Sequence, residues 1–165
     1  MATSAAEATD ARSSLVVIRR GLLALAAAGT IGVALELLLL RHWTETRELI
    51  AWLAVAALGV AVALVILRPT RRAILVARAL GVVVLVTSAI GVFVHVWANY
   101  DAAPLDARYT ASWPTTAEPV RWLLAATDTV GPSPSLAPLA LAFVALVLLL
   151  ALVHHQALEA PAPSR

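Results

Sequence analysis

The stretch IAWLAVAALGVAVALVIL, Ile50 to Leu67, carries no charge. A helix rises about 1.5 Å per residue, so such a run nearly crosses the roughly 30 Å hydrocarbon core of a bilayer. Inside that core the backbone must satisfy itself. The run shows no strand alternation, so helix is the state it dictates. Three other stretches of similar length read the same way. Leu22 to Leu40 has one charge, Glu36. Ala79 to Ala98 has no charge, and His95 is its strongest polar group. Leu136 to Val153 has no charge.

Composition agrees. Of the 165 residues, 61% are hydrophobic and 13% charged. An ordinary soluble domain has about 25% charged residues, and a disordered chain needs low hydrophobicity with high charge. Both classes are excluded. There is no Cys, which removes thiolate metal sites, iron–sulfur clusters and Cys nucleophiles. All 12 basic residues are Arg, so a phosphate-loop or Schiff-base lysine is absent. The arginines flank apolar runs and form no basic stripe with interleaved aromatics, so no nucleic-acid partner is expected. The Arg-only, Ala-rich usage suggests a GC-rich bacterial genome.

The chain is therefore expected to be all-α: a four-transmembrane-helix bundle in residues 15–156, with the bilayer as its solvent. Residues 1–14 and 157–165 read as disordered cytoplasmic tails. The first run continues to Leu40, too long for a signal-peptide core, so it reads as an uncleaved anchor. Eight arginines (Arg12, Arg19, Arg20, Arg68, Arg71, Arg72, Arg78, Arg165) fall on one side and four (Arg41, Arg47, Arg108, Arg121) on the other. Arginine bias places both termini in the cytoplasm. The long segment 99–135 then becomes an extracytoplasmic loop. Within it, Val120 to Val130 reads as a short interfacial helix, started by Pro119 and ended by Gly131-Pro132. Trp113 and Trp122 fit the headgroup level. Ser135 reads as the N-cap of the fourth span, with Pro138 tolerated in its first turn.

A carboxylate inside an apolar run is expensive and usually faces protein. Gly29, Gly32 and Glu36 share one helical face, which predicts a close helix contact. Gly91, His95 and Asn99 form a matching stripe. The threading puts Glu36 and His95 at similar depth, about 5–6 Å below the outer boundary. Carboxylate and imidazole together suit a divalent transition metal, so Glu36, His42 and His95 form a candidate metal set. Glu45, Asn99 and Asp101 are its candidate supporting residues. Haem ligation through His95 and His42 is a lesser alternative. The competing reading is a structural one, with Glu36 joining helices and Arg41 paired to Glu45. His154 and His155 read as solvated interfacial residues. The Arg68–Arg78 cluster is expected to fix topology and touch anionic headgroups.

The stretch ELLLLRHWTE from Glu36, the later His95 and Asn99, and PSLAP at Pro134–Pro138 resemble uncharacterised small four-pass bacterial inner-membrane proteins. The resemblance implies a fold and no activity. No catalytic motif is present. The expectation is thus a non-catalytic accessory or assembly subunit of a membrane complex. Partner subunits or self-association would use the Gly29/Gly32 and Gly91 faces. Metal or proton handling built on Glu36 and His95 is the alternative, and an oligomeric channel the second.

Overall fold

The computed structural model describes residues 2–134 and 136–159, with side chains over residues 13–134 and 137–158. Every regular element there is helical. The long helices are α1 (Ala2–Leu39), α2 (Leu49–Leu67), α3 (Arg71–Ala102) and α5 (Leu136–Ala151). Two short ones are α4 (Glu118–Ala126) and α6 (Gln156–Glu159). Single 3₁₀ turns occupy Thr46–Glu48, Ala103–Leu105 and Trp113–Thr115. Among the described residues, three helical segments are long and apolar enough to cross a membrane: Ser13–Leu39, Thr46–Leu67 and Arg71–Leu105. The 16 residues of α5 span about 24 Å and form a shorter apolar helix.

Local chemistry sets the boundaries. α1 ends in a Schellman turn: His42 N–H reaches Leu37 O at 2.9 Å and Arg41 N–H reaches Leu38 O at 3.1 Å. Arg41 occupies the left-handed position, φ 52°, where glycine is usual. The loop Arg68–Thr70 is far shorter than the sequence reading, because α3 begins at Arg71 and not near Ala79. Pro69 stops α2, the Thr70 side chain caps Ala73 N–H at 3.3 Å, and arginine is a good helix former. α1 runs back to Ala2, through the segment read as a tail. α6 covers part of the C-terminal segment. Residues 160–165 and the expected Ser135 cap lie outside the described residues.

α1 packs on α2 and α5, and α3 packs on the same two. α1 and α3 therefore occupy opposite corners of a four-helix bundle. Its core runs the length of the helices through Ala26, Val33, Leu58, Ile74, Val84 and Leu148. Glycines seat α5 between α1 and α3. A Cβ on Gly29 would lie 2.6 Å from a Val144 methyl, and one on Gly91 would lie 3.1 Å from Pro138 Cβ. Outside, Leu25, Leu53, Val83, Ile90 and Leu146 are exposed. Helices apolar all round are what a lipid solvent selects.

Arginine closes one end of the bundle. Arg19 Nε donates to Ala151 O at 3.0 Å, and its Nη2 donates to Val153 O and His154 O at 3.3 and 3.1 Å. Ala151 is the last residue of α5, and Val153 and His154 lie in the turn just after it, where carbonyls have no i+4 N–H of a continuing helix to accept.

Candidate functional site

The polar residues gather at the opposite end, where segment 99–134 folds over the bundle. A second small core forms there from Ala103, Trp113, Ala125 and Val130. Trp113 is 5% exposed, so it anchors this cap and does not sit among headgroups as its type suggests. A short helix does occur in this segment, α4, beginning at Glu118 with Pro119 in its first turn and ending at Ala126, four residues before the expected Val130.

Asn99 is the pin of the cap, and it is fully buried. Its amide nitrogen donates to Ser133 O at 2.7 Å, and to Ala125 O and Asp128 Oδ1 at 3.2 Å. Its oxygen accepts Ser133 N–H at 2.7 Å. Gly131 lies against it with φ 84°, and a Cβ there would collide with Asn99 Cα.

One turn earlier on α3, His95 Nδ1 lies 3.0 Å from Pro134 O. A carbonyl only accepts, so Nδ1 carries the proton. Pro138 has no N–H for the carbonyl four residues back, so Pro134 O takes a long bond from Ala137 N–H at 3.4 Å and a shorter one from His95.

Glu118 is the hub of an aromatic cluster. It accepts from Tyr100 Oη at 2.9 Å, Trp122 Nε1 at 3.0 Å and Arg121 Nη2 at 2.6 Å. Tyr100 stacks on Trp122 with centroids 4.5 Å apart. The Arg121 guanidinium lies 5.9 Å from the ring centroids of both Tyr100 and Trp113. Arg108 ties the 3₁₀ segment to the chain after α4, donating to Asp106 at 2.7 Å and to Thr129 O at 3.0 Å. The adjacent guanidinium holds the Asp106 carboxyl below its ordinary range.

The candidate metal set is not assembled. Glu36 is exposed on α1, and its side chain makes no hydrogen bond or ion pair among the described residues. His95 is on α3, at the opposite corner, and is engaged by Pro134. His42 sits in the α1–α2 turn, 3.7 Å from Glu48. Among the described residues no three His, Asp or Glu side chains could hold a metal ion. Of the expected supporting residues, Asn99 pins the cap and Asp101 is exposed. Glu45 pairs with Arg47, not Arg41, because the left-handed turn at Arg41 breaks the helix that would have aligned them. Glu48 accepts Thr44 N–H at 2.7 Å.

The Gly29–Gly32–Glu36 stripe divides. Gly29 contacts α5, whereas Gly32 has open space beside it and Glu36 points outward. Gly91 is used within the bundle. Sequence reasoning missed Glu118, Arg121 and Trp122 as a unit, although their i, i+3, i+4 spacing on one helix signalled it. Open hollows among the described residues include one of about 340 Å³ between α1 and α2 and one of about 320 Å³ beside Phe93, Val94 and Trp97. Neither is lined by a titratable side chain. No protein-family model, curated protein or solved structure matches the chain.

Proposed function

We propose that this chain is a non-catalytic accessory or assembly subunit of a complex in a bacterial cytoplasmic membrane. It crosses four times, with α5 as the fourth span, both termini inside, and α4 on the outer surface. The arginine bias and the flanking of α5 by two long apolar helices support that threading. The Arg-only, Ala-rich composition supports the bacterial assignment.

One observation carries the functional reading. The polar side chains at the capped end hold the protein's own loop, while α1 turns Ala24, Ala28, Gly32 and Glu36 outward. These four recur every fourth residue. Small residues let a second helix approach closely in lipid. An unpartnered carboxylate in a membrane helix is costly until a donor or cation meets it.

The test is the mass of the full-length protein extracted from its native membrane in mild detergent. Wild type should migrate with a stoichiometric second protein, and Gly32→Leu should release it while remaining folded. A lone monomer for both proteins, or substrate turnover by the purified chain alone, would contradict the reading.

A further inference from the structure

The hollow between α1 and α2 is an open apolar groove of about 340 Å³. Ala27 and Ile31 of α1 and Gly59, Ala63 and Ile66 of α2 line it. Its one polar side chain, Thr30, keeps its hydroxyl on Ala26 O at 2.8 Å. The groove therefore offers hydrocarbon and nothing else along its length.

Its end is different. α2 stops at Leu67, a lining residue, and Arg68 follows immediately. Arg20 precedes Ala27 by seven positions and Ile31 by eleven, which puts it on the same face of α1 two turns toward that end. Arg71 and Arg72 open α3 just beyond Arg68. All four arginines are exposed, and none has a carboxylate partner among the described residues. Arg19, next to Arg20, is already engaged with the end of α5.

We propose that this groove binds an anionic phospholipid. An acyl chain lies along Gly59 and Ala63, and the phosphate is held by Arg20 and Arg68, with Arg71 and Arg72 adding to the local positive field. A planar guanidinium pairs with phosphate oxygens two at a time. A zwitterionic lipid brings the same chain, but its ammonium faces the same uncompensated arginines. The site requires the bilayer setting and is independent of partner docking on α1.

The test is native mass spectrometry of the full-length protein in mild detergent, with three probes: phosphatidylglycerol, phosphatidylcholine of the same chains, and inorganic phosphate. Phosphatidylglycerol should be retained one-to-one, roughly ten-fold or more tightly than phosphatidylcholine. Inorganic phosphate alone should give no adduct. Arg20→Gln with Arg68→Gln should erase the preference. Gly59→Leu adds its side chain into open space, so it should fill the groove and lose the lipid with the arginines intact. An unchanged thermal midpoint without lipid verifies that this variant is folded. Equal retention of the two lipids, retention untouched by Gly59→Leu, or phosphate binding that matches phosphatidylglycerol would each overturn the proposal.

Discussion

At Gly131 the backbone adopts φ 84°, and the missing Cβ is what lets Asn99 fit against it. An L-residue at this φ costs about 1–2 kcal/mol before any collision. The collision here is with backbone, which cannot yield without disturbing the Asn99 hydrogen bonds. Gly131→Ala should destabilise the protein by roughly 2–4 kcal/mol, read as a lower unfolding midpoint in detergent. An unchanged midpoint would mean that the cap does not hold the bundle. Glu36 teaches the opposite lesson about single residues. Its apolar neighbourhood suggested an inward-facing group. In lipid both faces of a helix are apolar, so the sequence carries no asymmetry to orient it.

Among the elements, α5 depends most on its neighbours. It is the shortest of the four long helices, and its terminal Ala151 carbonyl and those of the turn that follows are met by Arg19 of α1. Arg19→Met keeps most of the side-chain length and removes the donors. The expected cost is about 1–3 kcal/mol, and unchanged unfolding would refute the role assigned to Arg19. Close by, His155 Nδ1 accepts Ala157 N–H at 3.2 Å at the start of α6, which requires an unprotonated nitrogen. Partial burial, and secondarily the Arg19 charge, push the His155 pKa below its ordinary 6.5. The depressed value fixes the sign. The contribution to stability is complete above pH 6.5 and is lost as pH falls through the folded midpoint. A ring-proton NMR titration should place that midpoint below 6.5, and Arg19→Met should raise it. A midpoint at or above 6.5 in the wild type would contradict the contact.

For the molecule as a whole, the apolar runs were legible because a long uncharged stretch has few alternatives in lipid. Helix ends were less legible. Arg71, Arg72 and Arg78 read as loop, yet arginine is compatible with helix and the stop signal was Pro69. The cap was least legible. Trp113 is buried by Ala125 and Val130, contacts set by the folded loop and not by spacing along the chain. The candidate metal residues were recognisable by type, but the order of helices around the bundle separates α1 from α3. Threading can be tested directly, because the native chain has no cysteine. Ala107 and Gln156 are exposed. An impermeant maleimide should label Ala107→Cys in intact cells, and Gln156→Cys only after permeabilisation. Labelling of both in intact cells would refute the threading.

On the proposed function, another protein covers the outward face of α1. A photo-crosslinking amino acid at Leu35, beside Glu36, tests it in native membranes, with exposed Leu53 of α2 as the control position. One discrete protein adduct is expected from position 35 and none from position 53. The absence of any protein adduct at position 35, with lipid adducts alone at both positions, would contradict it.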